Sequence, residues 1–143
     1  MYLPSMTRPT IKSCRVLVVE DSQADIDLIK IAFDECGYPC ELTFARSHAE
    51  AEHFLASHPS DLLLSDFGAD YQSLSRFVES VRSHSSTVPI VVLSSFFDPS
   101  LAYGAGANAF VRKEGDLQRF SDKIQGIMRF WIDVAELPSA RRI

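Results

Sequence analysis

The chain has 143 residues and a mass of 16.0 kDa, and it is 46% apolar and 23% charged. That balance fits one globular core and excludes a highly charged disordered polymer; with no unbroken run of about 18 apolar residues it also excludes a spanning helix, so no membrane is expected. Fourteen Lys and Arg against 19 Asp and Glu leave a formal charge of −5 and a pI near 5.3, which repels a phosphate backbone, so no nucleic-acid partner is expected.

Residues 1–12, with Pro4 and Pro9, read as a flexible lead-in, residues 13–138 as the domain and 139–143 as a tail. The lead-in is too short in apolar residues to be a secretory signal, which makes the cytoplasm the expected compartment. Cys14, Cys36 and Cys40 are odd in number and lack a second Cys or His pair at zinc spacing, so free thiols are expected.

Val16-Leu17-Val18-Val19 is a continuous apolar strand ending in Glu20-Asp21. A strand with no polar alternation is covered on both faces. Ser22-Gln23-Ala24-Asp25 reads as a capping-box start, with Ile26, Ile29 and Phe33 at helical spacing until Gly37. Glu41–Phe44 follows as a strand, Ser47-His48-Ala49-Glu50 as a second capping box, and Ala51, Phe54 and Leu55 as a short buried stripe. Asp61–Ser65 is a buried strand ending at Asp66, and Leu74, Phe77, Val78 and Val81 mark one helical face.

Ser83–Thr87 reads as a polar loop, and Pro89–Leu93 as a buried strand ending at Ser94-Ser95. Only a brief helical piece around Ser100–Tyr103 precedes Gly104-Ala105-Gly106. Ala109–Val111 is a short strand leading to Arg112-Lys113, and Leu117, Phe120, Ile124, Ile127, Met128 and Trp131 trace a long last helix ending before Pro138. Five strands alternating with five helices imply an α/β fold, a doubly wound parallel sheet with its ligand site at the carboxyl ends of the strands.

Glu20, Asp21 and Asp66 end the first and third strands, Ser94 the fourth, and Lys113 follows the fifth. Clustered carboxylates call for a cation, and hard oxygen donors suit Mg²⁺. With Mg²⁺ and Lys113 offsetting the charge, Asp66 can attack phosphorus and form an acyl phosphate, while Ser94 donates to a phosphoryl oxygen. His48, His53, His58 and His84 show no ligand spacing and read as solvated or capping residues. Gly104-Ala-Gly106-Ala-Asn-Ala109 spells a dinucleotide fingerprint but precedes a strand, so it is rejected.

From Arg15 to about Ile132 the chain resembles the receiver domain of two-component response regulators. Val-Leu-Val-Val-Glu20-Asp21 is similar to that family's acidic pair, Asp61-Leu-Leu-Leu-Ser-Asp66 to its phosphoacceptor strand, Ile90-Val-Val-Leu-Ser94-Ser95 to its hydroxyl strand, and Gly106-Ala-Asn-Ala-Phe110-Val-Arg-Lys113 to its aromatic-switch and lysine segment. The opening Glu20–Ile29 and the closing Phe130–Pro138 resemble, more faintly, the single-domain regulators that partner phytochrome-type kinases.

The resemblance implies a flavodoxin-like (β/α)5 fold with strand order 2-1-3-4-5 and Asp66 as phosphoacceptor. It implies Phe110 as switch, and Mg²⁺ held by Glu20, Asp21, Asp66 and the Gly68 backbone carbonyl. The expected phosphodonor is a sensor histidine kinase or phosphotransfer protein. A homodimer anchored by aromatics such as Phe130 and Trp131 is a further partner expectation, and with no room after residue 138 for an output domain the chain is expected to act alone.

Three departures stand out. Ala69-Asp70 replaces the usual Met-Pro or Leu-Pro pair, Glu114 replaces the proline after the lysine and favours a trans bond, and the 19 positions from Ser94 to Lys113 shorten the fourth helix. Together with Gly68, which has no side chain to contact a phosphoryl group, they motivate an alternative, a phosphorylation-independent pseudo-receiver that only binds partners. An enzyme is not expected: aspartyl-phosphate hydrolases generally need an acid where this chain has Gly68, and Glu20-Asp21 would repel a flavin phosphate.

Overall fold

The computed structural model describes residues 13–66, 70–85, 87–95, 98–113 and 115–138. In chain order they form β1 (Cys14–Val19), α1 (Gln23–Cys36), β2 (Cys40–Ala45), α2 (His48–Leu55), β3 (Leu62–Asp66), α3 (Tyr71–His84), β4 (Ile90–Ser94), α4 (Pro99–Ala105), β5 (Ala109–Arg112) and α5 (Leu117–Met128), which a π-helical turn, Arg129–Val134, prolongs. The five strands are all parallel, in the order β2-β1-β3-β4-β5. The shortened fourth helix is the seven-residue α4. Residues 1–12, 139–143, Gly68, Ala69 and Glu114 lie outside the described residues.

The apolar strands divide their side chains between two layers, as a period of two dictates. Val16, Val18, Leu62, Leu64, Val91 and Leu93 pack with Ile29 and Phe33 of α1 and with Phe120, Ile124 and Met128 of α5. Leu17, Val19, Leu63, Ile90 and Val92 pack with Ala51, Leu74, Phe77, Val78 and Ala102 of α2, α3 and α4. No helix among the described residues is long and apolar enough to cross a membrane.

Local chemistry sets the element ends. Ser22, Ser47, Asp70, Asp98 and Asp116 each accept a backbone N–H at a helix start. Gly106 ends α4 at φ 110°, where a Cβ would stand 3.1 Å from Val78 Cγ1, so both conformation and space select glycine. Just before the amino-terminal end of β3, Asp61 is buried and accepts from Arg15 N at 2.8 Å, Nε at 3.1 Å and Nη2 at 2.9 Å.

The border of β5 is closed by neighbouring helices. The Phe110 N–H donates to the Tyr103 hydroxyl at 3.3 Å, and Lys123 Nζ donates to the Arg112 carbonyl at 2.9 Å.

Three sequence expectations need correction. The stretch read as a polar loop is partly helix, because α3 runs through His84: the Ser83 hydroxyl donates to the Ser80 carbonyl at 2.6 Å and stays compatible with the helix. The stripe of the last helix is Phe120, Ile124, Ile127, Met128 and Ile132, while Leu117 in the first turn is exposed. Past Met128 the wider π-turn changes the angular step between residues, so Ile132 is buried where the α-helical period calls for Trp131, which is half-buried and meets the exposed Phe130 edge-to-face at 4.9 Å.

His48 is the third correction. It is half-buried, its Nδ1 shares a hydrogen bond with Ser73 Oγ at 2.8 Å, and its ring stacks on Phe77 at 4.6 Å, so it ties α2 to α3. Burial lowers its pKa from the ordinary 6.5, outweighing the opposite pull of Glu52 and Asp70. The folded chain thus resists a proton that the unfolded chain accepts, and stability present above the unfolded value is lost as pH falls through it. Between about pH 7.5 and 5.5 the urea midpoint of the wild type should fall more than that of His48→Gln; parallel profiles would contradict this.

Candidate functional site

The carboxyl ends of β1, β3 and β5 bring charge together because parallel strands end at the same edge. Glu20 follows β1 and is 1% exposed; its backbone N–H extends the ladder to the Ala45 carbonyl at 2.8 Å. Asp66 closes β3, opposite Leu93 of β4. Lys113 follows β5, where its N–H donates to the Ser94 carbonyl at 3.1 Å, continuing the β4–β5 pairing by one residue.

From there the Lys113 side chain reaches across the sheet, its ammonium passing 5.9 Å from the Phe120 ring centre. Nζ donates to Asp66 Oδ2 at 2.8 Å, to Glu20 Oε2 at 3.2 Å and to Asp25 Oδ2. An ammonium has three N–H donors, so the three carboxylates engage all of them.

Burial drives the Glu20 carboxyl well above the usual carboxylate range, and the Asp66 carboxyl adds to the rise. The Ser22 N–H, donating to Glu20 Oε1 at 3.0 Å, and the Lys113 charge oppose it. For Lys113 burial works against the charge, but the bonds to Asp25 and Asp66 and the negative field of Asp66 and Glu20 outweigh it and raise its pKa. The site therefore keeps its cation and carries surplus acidity.

Of the residues expected here, Glu20, Asp66 and Lys113 meet in one cluster. Asp21 is exposed and stands outside the carboxylate trio, because Glu20 takes the inward direction at the end of β1 and its neighbour turns to solvent. Gly68, whose carbonyl was expected to join, lies outside the described residues. Ser94 is fully buried, one residue past the β4 partner of Asp66. Phe110 is half-buried, opposite Val92 and against the α2, α3 and α4 layer, with the Arg112 guanidinium 5.2 Å from its ring centre.

Asp25 is the member that sequence reasoning missed. Its place three residues past the N-cap Ser22 suggested a capping box, and Ser22 Oγ does accept from Asp25 N at 3.4 Å. The carboxylate goes elsewhere. Cβ atoms in a helix lean toward its N-terminus, and in the first turn of α1 that direction lies over the strand ends.

Glu20, Asp25 and Asp66 each offer an oxygen, all within 4.8 Å of one another. An all-carboxylate set, with the Asp25 and Asp66 side chains 28% and 14% exposed and no thiolate or imidazole among the donors, suits a hard divalent cation.

Comparison with known proteins follows the same outline. A family model described as the response regulator receiver domain matches residues 16–125. The chain is 26% identical over 137 residues to the response regulator Rcp1 of Synechocystis, covering 87% of this chain and 93% of that protein. The phosphorylated cyanobacterial phytochrome response regulator RcpA superposes with a TM-score of 0.80 at 27% identity, covering 89% of this chain and 99% of the other. A response regulator from Hahella chejuensis gives 0.80 at 29% identity, covering 87% and 98%.

Proposed function

The chain belongs to the response regulator receiver domain family, and from that premise we propose that it is a signalling module that takes a phosphoryl group onto Asp66 and thereby changes a protein-binding surface. The observation that carries this reading is the Lys113 ammonium on Asp66, with Glu20 and Asp25 beside it at the carboxyl edge of the sheet.

In the reaction an Asp66 Oδ attacks phosphorus, the P–N bond of a phosphohistidine on a sensor kinase or phosphotransfer protein breaks, and the leaving imidazole takes up a proton. Asp66 becomes an acyl phosphate. Lys113 offsets the charge on the phosphoryl oxygens, and the Ser94 hydroxyl donates to one of them. Glu20, Asp25 and Asp66 would hold Mg²⁺, which when bound supplies charge neutralisation for the transferring group. The phosphoryl group brings about −1.5 to −2 of charge, which biases the packing of Phe110 against the α4 side of the sheet. That the similar RcpA was solved in its phosphorylated form supports the same chemistry here.

Incubation with Mg²⁺ and a small acyl-phosphate donor tests the reading by intact mass. The expected result is a gain of one phosphoryl group on the wild type and none on Asp66→Asn. No gain on the wild type, or an equal gain on the variant, would overturn it.

A further inference from the structure

We propose that Asp25 is a positioning residue of this site: its carboxylate fixes the Lys113 ammonium beside Asp66, so that the lysine stands ready before a phosphoryl group arrives. This rests on Asp66 being the phosphoacceptor, and it adds a role to a residue that belongs to neither strand end.

Three observations carry it. First, the cap of α1 does not engage the Asp25 carboxylate. In a capping box that side chain would accept from the N-cap backbone, but the Ser22 N–H donates to Glu20 Oε1 at 3.0 Å. Glu20 completes the cap, and the Asp25 carboxylate meets Lys113 instead.

Second, the three acceptors of Lys113 come from three different elements. Glu20 follows β1, Asp66 ends β3 and Asp25 sits in the first turn of α1. A lysine on a four-carbon stem has many rotamers, and two acceptors leave the ammonium free to pivot about the line joining them. A third acceptor from a separate element removes that freedom.

Third, the Asp25 side chain is 28% exposed, whereas those of Glu20 and Asp66 are 0% and 14% exposed. Asp25 is therefore the most solvent-accessible of the three and holds the ammonium from the solvent side of the cluster. Holding the ammonium from that side keeps the long stem aligned along the sheet edge, where pre-set orientation shortens the path to in-line transfer.

The test uses three variants, Asp25→Asn, Lys113→Met and the double substitution. The ¹H–¹⁵N signal of a lysine ammonium is seen by NMR only when its protons are hydrogen-bonded and protected from exchange. The wild type should show it for Lys113 without any phosphodonor, and Asp25→Asn should lose it, while Asp25→Glu, which keeps the charge on a longer arm, restores part of it.

With a small acyl-phosphate donor at saturating Mg²⁺, Asp25→Asn should slow phosphoryl gain by about tenfold, and it should add nothing in the Lys113→Met background. Persistence of the ammonium signal in Asp25→Asn, or a full tenfold loss added on top of Lys113→Met, would overturn the proposal; the second result would mean that Asp25 acts on transfer through the bound cation and not through Lys113. If the wild type takes no phosphoryl group, the phosphoacceptor reading fails, and the ammonium signal still reports on Asp25.

Discussion

Substituting Lys113 by Met should slow transfer of a phosphoryl group onto Asp66 by about 10²–10³-fold, the usual cost of removing one pre-set charge from a transition state. The ammonium donates to Asp66 Oδ2 at 2.8 Å, close enough to pass to a phosphoryl oxygen with a small adjustment of the stem. The same substitution removes the positive charge that now lies between the carboxylates of Glu20, Asp25 and Asp66.

Left alone, those groups repel one another, so a divalent cation should bind the variant more tightly and stabilise it more than it does the wild type. Single-turnover phosphorylation followed by intact mass gives the rate, and thermal unfolding with and without Mg²⁺ gives the linkage. A loss smaller than about threefold would mean that Lys113 does not act on the transferred group.

Arg15→Ala should destabilise the fold by about 3 kcal/mol, the low end of what is found when one partner of a buried ion pair is removed. The Asp61 side chain is only 2% exposed, and it faces the guanidinium through both of its oxygens. The Arg15 backbone N–H, at 2.8 Å, survives the substitution and softens the effect.

The double variant Arg15→Ala/Asp61→Ala leaves no buried charge without a partner, so it should lose less than Arg15→Ala alone. Urea denaturation of the wild type and both variants measures this. Equal losses would mean that the carboxylate of Asp61 finds water or another donor once Arg15 is gone.

The fold was legible because continuous apolar strands admit few arrangements: Leu62, Leu63 and Leu64 cannot all be buried unless helices cover both faces of the sheet. Strand ends were equally readable, since Glu20, Asp66 and Lys113 each follow directly on such a run. Side chains in first helical turns were harder. Asp25 and His48 both sit just past an N-cap Ser, where spacing suggests a cap and only the lean of the Cα–Cβ bond points across to another element.

Asp21 and Phe130 show the opposite limit. The acidic pair could be read from its type, but which member faces inward depends on the last backbone step of β1. Trp131 fits the helical period and Phe130 stands beside it, but past Met128 the backbone changes its pitch, and no residue in Arg129–Val134 announces that change.

The closure of β5 bears on how the protein behaves when crowded. A sheet margin with vacant amide and carbonyl positions is a template for intermolecular cross-β growth, and short, plugged margins are how monomers resist it. Here Tyr103 occupies the Phe110 amide and Lys123 the Arg112 carbonyl, so the flank nearest the aromatic and lysine segment is shielded from fibril-like stacking by the chain's own helices.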